Sequence, residues 1–207
     1  AAAVQGELDE AEHRAIGAEA AVERAGDPLL RAWYFNDLGI LASESKQPEA
    51  AREHLERALE LKARTLGERH VDVGIAWFNL GMMLSNAHQY AEAREPMITA
   101  MSIFADTVGP SHPLSAFASS GLCNVDLGLG DARSAARLCG EALERFASSP
   151  VSTMWESRVT FTMAEALWGL GERTRARELA QRALGLGRVE DPSRARNIEI
   201  WLEKHPE

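Results

Sequence analysis

The sequence predicts an all-α fold built as an array of antiparallel helix pairs, and three observations carry this reading. Leu38-Gly39 recurs as Leu80-Gly81 and as Leu122-Cys123 in steps of 42 residues, and a step of 41 then reaches Met163-Ala164. A second set of columns keeps the same period: Ala51, Leu55 and Ala58 return as Ala93, Met97 and Ala100, as Ala135, Cys139 and Ala142, and as Ala176, Ala180 and Ala183. Both sets are spaced for one stripe of a helix with 3.6 residues per turn, whereas no stretch shows sustained period-two alternation. Several columns sharing one period are the mark of a repeat array.

The elements follow in order. A partial copy, Gly6-Glu7-Leu8-Asp9-Glu10-Ala11 with Ala15 and Ala18, supplies only a second helix, over residues 1–25. A repeat cannot bury its apolar face alone, so this start is expected to continue an array lying upstream or to be covered by another chain. Full repeats are predicted over 28–67, 70–109, 112–148 and 150–188. Their internal turns fall at Ser45-Lys46-Gln47, Ala87-His88-Gln89, Gly130-Asp131 and Gly171-Glu172. Residues 192–205 are expected to form a C-terminal capping helix. Asp191-Pro192-Ser193 is a helix-start signal, and Ile198, Trp201 and Leu202 form an apolar stripe among Arg194, Arg196, Glu199, Glu203 and Lys204. The 16 glycines, each costing ~1 kcal/mol relative to Ala in a helix interior, mostly find places at helix contacts, turns and loops.

The small residue at the tight contact of each first helix is Gly39, Gly81, Cys123 and Ala164. The turn glycine is Gly6, Gly130 and Gly171, replaced by Lys46 and His88 in the middle copies. Between pairs stand Leu66-Gly67-Glu68-Arg69-His70-Val71 and Val108-Gly109-Pro110-Ser111-His112-Pro113. This pattern resembles the tetratricopeptide repeat over nearly the whole chain, and the long period resembles its kinesin-light-chain type. The resemblance implies a right-handed superhelical solenoid whose first helices line a concave face, and a non-catalytic module that binds a protein or peptide there.

Composition and motifs agree with a binding role. The chain has 207 residues, 45% of them hydrophobic, and a formal net charge of −9. That acidity argues against nucleic acid and anionic membrane as partners, which select basic faces. No run approaches the ~20 apolar residues of a membrane span, and the expected location is the cytoplasm. No Walker-type loop, His-Glu-x-x-His or Cys-x-x-Cys occurs, so catalytic residues, cofactors and a metal site are not expected. Gly128-Leu129-Gly130 and Gly185-Leu186-Gly187 lack a preceding strand, and Ser43-Glu44-Ser45-Lys46 falls at a turn. His70 and His112 share a loop position suited to a hydrogen bond at a helix N-terminus. Cys123 and Cys139 lie in core columns of one repeat and are expected as buried, reduced thiols. Asp126 falls in the column of Ala42, Leu84 and Leu167, where a lone carboxylate would be costly. The expectation is a shifted helix end with Leu127 filling the site, in preference to neutralisation by Arg133 or Arg137.

Groove positions carried over from the resemblance give a candidate peptide site. The first repeat offers Trp33, Asn36, Asp37, Ile40 and Ser43; the second, Ile75, Phe78, Asn79, Met82 and Ser85. The third offers Phe117, Ser120, Gly121, Asn124 and Leu127; the fourth, Arg158, Phe161, Thr162, Glu165 and Trp168. In this reading Trp33, Phe78, Met82, Phe161 and Trp168 are anchors, and Asn36, Asn79 and Asn124 bond a peptide backbone; some of the aromatics are alternatively inter-repeat core. Asn79 stands where the kinesin-light-chain type carries Asn, Asp37 is a near match, and Gly121 and Thr162 depart from it. With Arg158 the one basic residue on this face, a carboxylate clamp is not expected. Two other readings stand beside this one. Ala164-Glu165-Ala166-Leu167-Trp168 through Ala183-Leu184, followed by Ile200-Trp201-Leu202-Glu203, resembles the C-termini of bacterial Ser/Thr protein kinases, which implies a regulatory or sensor region of a larger signalling enzyme. Alternatively, the open N-terminal repeat pairs with a second copy as a structural scaffold.

Overall fold

The computed structural model describes residues 18–148, 152–188 and 190–206. The start of the partial repeat, with Gly6 and Leu8, and the first residues assigned to the fourth repeat lie outside the described residues. The structure is all-α and divides into two compact units, residues 1–107 and 108–207. Among the described residues, the first holds α1 (18–25), α2 (Pro28–Glu44), α3 (Pro48–Leu66), α4 (Val71–Asn86) and α5 (Tyr90–Thr107). The second holds α6 (Pro113–Gly128), α7 (Ala132–Ser148), α8 (Thr153–Gly169), α9 (Arg173–Gly187) and α10 (Pro192–Lys204).

Local chemistry sets the helix starts. Asp27 precedes Pro28 and accepts the Leu29 N–H at 2.8 Å, which places a capping carboxylate and a proline at the positions each favours. His70 and His112 perform the cap foreseen for them: each Nδ1 accepts a backbone N–H two residues on, Asp72 at 3.1 Å and Leu114 at 3.2 Å. An accepting Nδ1 requires the neutral ring with its proton on Nε2. Ser152 and Glu190 both accept the Met154 N–H at the head of α8, and Asp191 accepts that of Arg194 at the head of α10.

The four turns inside the pairs share one backbone solution. A six-to-one bond closes each helix end: Gln47 N–H to Ala42 O, Gln89 to Leu84, Asp131 to Asp126 and Glu172 to Leu167, at 2.8 to 3.0 Å. The residue before each donor must be left-handed. Gly130 and Gly171 adopt φ near +85° at no steric cost, whereas Lys46 and His88 are held at φ 59° and 60°. The His88 ring is further tied to the Tyr90 hydroxyl at 2.7 Å.

Pair packing rests on small residues. Ala51, Ala58, Ala93, Ala100, Ala135, Ala142, Ala176 and Ala183 are all fully buried. Opposite them, a Cβ added to Gly39 would lie 2.5 Å from Leu55 Cγ and 3.2 Å from the Ala51 carbonyl, and one added to Gly81 would lie 2.9 Å from Met97 Cγ. At the end of the second unit Phe161, Ala164, Ala180, Ala183 and Ile198 form a buried cluster, with Trp201 and Leu202 packed against it. Helix α10 therefore covers the last pair.

Two expectations are corrected in the third pair. Cys123 and Cys139 are joined as a disulfide between α6 and α7, with Cα atoms 5.4 Å apart, rather than lying as reduced thiols. Both residues are fully buried; helical columns bring the two sulfurs together, but spacing alone does not reveal whether they bond. Asp126 stays in its core column at 2% exposure, and Leu127 does not replace it. The turn bond holds the helix in register, and the Ser134 hydroxyl donates to the carboxylate at 2.6 Å. Arg137 pairs with Glu141 instead.

These contacts predict opposite effects at neighbouring positions. Gly39→Val should destabilise the chain by about 1–3 kcal/mol through overpacking against Leu55 and a backbone carbonyl. Lys46→Gly should stabilise it by about 1 kcal/mol by relieving the left-handed turn. Guanidinium unfolding of both variants beside the parent tests the pair.

Candidate functional site

In the first unit the faces of α2 and α4 lie side by side, joined by a polar bridge. Asn79 on α4 donates from Nδ2 to Asn36 Oδ1 on α2 at 2.8 Å, and Asn36 donates in turn to Asp37 Oδ1 at 3.3 Å. Apolar side chains flank the bridge. Trp33 is 50% exposed and Ile40 39%, while Ile75, Phe78 and Met82 are half-buried. Asp37 is exposed, Ser43 is half-buried and Ser85 is buried. The arrangement is an amphipathic strip: a polar centre able to exchange hydrogen bonds with a peptide backbone, and apolar edges that would gain by being covered.

Beneath this face lies a residue that the sequence reading passed over. Lys62 on α3 is 3% exposed, at the column occupied by Phe104 and Phe146 in the next two repeats. Burial pushes its ammonium below the ordinary lysine range, and the charges of Asp72 and Asp37 partly offset this. The signal available in the sequence was the break from aromatic to cationic in an otherwise apolar column. A separate cavity of about 620 Å³ opens between α3, α4 and α5, lined by Leu59, Ala63, Trp77 and Ile98 among others. None of the residues named from the sequence as groove positions lines it.

In the second unit, several candidates are already engaged. Phe117 is half-buried with its ring 5.4 Å from Phe146 and 5.0 Å from Trp155. Ser120 is buried and donates to the Phe117 carbonyl at 2.7 Å. Phe161, 8% exposed, meets Trp201 edge-on at 5.7 Å. Trp168 lies 5.5 Å from Trp201 and 4.7 Å from the His205 ring. These two anchors are thus ring partners of the C-terminal segment. Gly121 and Thr162 are buried, whereas Asn124 and Leu127 are half-buried.

Arg158 and Glu165, two turns apart on α8, are half-buried charges. The Arg158 guanidinium lies over the Trp155 ring at 5.1 Å. Burial, then the nearby charge of Arg194, lowers its pKa to about 10, with Asp191 opposing. Burial raises the Glu165 carboxyl to about 7, which Arg194 partly counters. Among the described residues no group of three or more His, Cys, Asp or Glu side chains is placed to hold a metal ion, and no helix is long and apolar enough to cross a membrane.

Comparison with known proteins adds to this geometry. Sequence patterns of the tetratricopeptide repeat match residues 1–64 and 79–114. The chain is a tetratricopeptide-repeat protein. Such repeats are generally non-catalytic modules that bind proteins or peptides. Its tetratricopeptide fold is shared by solved structures. BtubC (BKLC) from P. vanneervenii is 19% identical, with 89% of this chain and 74% of that one covered and a TM-score of 0.75. The nearly identical repeats of a putative kinesin light chain from Podosopora anserina are 22% identical over 88% and 86% of the two chains, with a TM-score of 0.63. The apo form of RapI is 17% identical over 98% and 73%, with a TM-score of 0.80. At these identities the likeness is one of fold. No protein in the curated set matches the sequence.

The electrostatics of the tetratricopeptide array give a pH prediction. The Glu165 carboxyl, raised by burial from its ordinary value of 4.5 to about 7 in the native state, keeps a proton there that the unfolded chain releases. Stability from this group is therefore greatest at low pH, falls as pH rises from about 4.5 through 7, and is fully lost above 7. Glu165→Gln should raise the melting temperature at pH 8 relative to the parent and change it little at pH 4. Melting both proteins across that range isolates the difference.

Proposed function

We propose that this tetratricopeptide-repeat chain is a non-catalytic docking module that takes a peptide or helix from a protein partner along the α2–α4 face of its first unit. The observation that carries the proposal is the Asn36–Asn79 bridge set between Trp33, Ile40, Phe78 and Met82. A bare apolar strip would bind without register. The bridge adds unfilled hydrogen-bonding capacity on the two amides: each offers two N–H groups and a carbonyl, and the bridge uses only part of these. An extended backbone or the side of a helix can satisfy the remainder while the partner's apolar side chains cover Trp33 and Ile40. In the second unit Phe161 and Trp168 already contact the C-terminal segment, so the proposed docking face is confined to α2 and α4 of the first unit.

A random peptide library displayed on phage and selected against the chain supplies probes whose affinities can then be measured. Phe78→Ala combined with Met82→Ala should weaken a selected peptide at least 10-fold, the scale of a lost apolar anchor. Thr174→Ala, an exposed change on α9, should leave binding unaltered. Undiminished affinity in the Phe78/Met82 double variant would remove the α2–α4 face as the docking site.

A further inference from the structure

We propose that Cys123 and Cys139 form a redox site that locks the third helix pair, so that the stability of the second unit depends on the thiol–disulfide state of this pair. In the first unit, the equivalent contacts are made by shape alone. Gly39 lies under Leu55 and Gly81 under Met97, a missing side chain against a large one. Ala164 and Ala180 hold the same columns in the fourth pair, both fully buried. The third pair has neither arrangement. Two side chains of equal, intermediate size face each other across helices whose Cα atoms are 5.4 Å apart, inside the range a disulfide spans. Once reduced, the two thiols must part to van der Waals distance in a space fitted to a bond, between Ala135 and Ala142 on α7 and Leu122 and Val125 on α6, all nearly or completely buried.

The chemistry balances with a low-molecular-weight disulfide such as oxidised glutathione as the oxidant. One cysteine thiolate attacks it, releasing one glutathione thiol and leaving a mixed disulfide. The second thiolate then attacks the mixed disulfide and releases the second glutathione thiol, so two cysteine thiols lose two protons and two electrons to the oxidant. A dithiol such as dithiothreitol runs the exchange in reverse. Both steps need in-line access to sulfur, and Cys123 and Cys139 are fully buried in the folded chain. The bond therefore closes during folding, and afterwards exchange has to wait for the α6–α7 pair to open. This makes it a lock, set when the chain folds, rather than a rapid sensor. The residues on either side of Cys123 in the groove register, Ser120 and Asn124, share α6 with it, so the lock also fixes how that face is presented.

The test uses the whole chain, unfolded and refolded with either oxidised glutathione or dithiothreitol. Thiol titration in guanidinium should find no free thiol in the first preparation and both cysteines free in the second. The oxidised chain should melt, by circular dichroism, roughly 10–20 °C above the reduced one, the scale set by closing a loop of about 15 residues in a unit of about 100. The folded, oxidised chain should resist dithiothreitol for hours and lose its bond within minutes once guanidinium is added. Cys123→Gly with Cys139→Leu, which copies the Gly39–Leu55 contact, should melt at one temperature with or without reductant. Two free thiols after oxidative refolding would overturn the proposal, as would equal melting of the oxidised and reduced parent. That comparison of the parent with itself decides the matter even if the double variant fails to fold.

Discussion

The structure depends on one steric condition, the close approach of the two helices in each pair. Gly39 admits Leu55 at a distance where a Cβ would overlap its Cγ, and Gly81 admits Met97 in the same way. Once a large side chain fills the space left by a missing one, the second helix must present small residues on either side of it. Ala51 and Ala58 flank Leu55, and Ala93 and Ala100 flank Met97, all without exposed surface. The contact consumes one stripe of the first helix. The stripe displaced by about a quarter turn, with Trp33, Asn36 and Ile40, is left free of the pair contact. A candidate binding face is thus a consequence of how the pair closes, since close packing on one side fixes the azimuth of everything on the other.

This condition is also why so much of the architecture was legible in the sequence. Small residues at tight contacts and alanines around them tolerate little change, so their period survives. The six-to-one turn bond needs only backbone, so the turns at Lys46 and His88 could be placed although glycine is absent from both. What escaped reading lies in contacts between elements. Asp126 and Ser134 meet across a turn, eight residues apart, a separation with no place in helical periodicity, and the carboxylate therefore looked unsatisfied. Phe161 and Trp168 hold groove positions by register, yet Trp201 and His205, from the far end of the sequence, pack against them. Cysteine columns show that two sulfurs face one another and nothing about their oxidation state.

A second column shows which substitutions the contact within a pair tolerates. Position by position, Gly74 faces Phe104, whose ring a Cβ on Gly74 would strike at 2.8 Å, while Gly187 faces Ser157 at a similar clash distance of 2.6 Å. In that pair the larger of the two residues is on the first helix, and the Ser157 hydroxyl donates to the Ala183 carbonyl at 2.8 Å. In the first repeat the equivalent residues are Ala32 and Lys62. The lysine stem supplies apolar volume comparable to a phenylalanine, but its ammonium brings a desolvation cost that the carboxylates of Asp37 and Asp72 only partly relieve. A large side chain fills this column in the first three pairs, whether lysine or phenylalanine, and the fourth pair has only Ser157 and Gly187 there. Positions of that kind are where this array departs from a generic repeat: Lys62 under the α2–α4 face, Asp126 under the third turn, and the paired cysteines at the third contact. Each keeps the helices at the spacing that the fold requires and adds a charge, a hydrogen bond or a covalent link that packing alone does not demand.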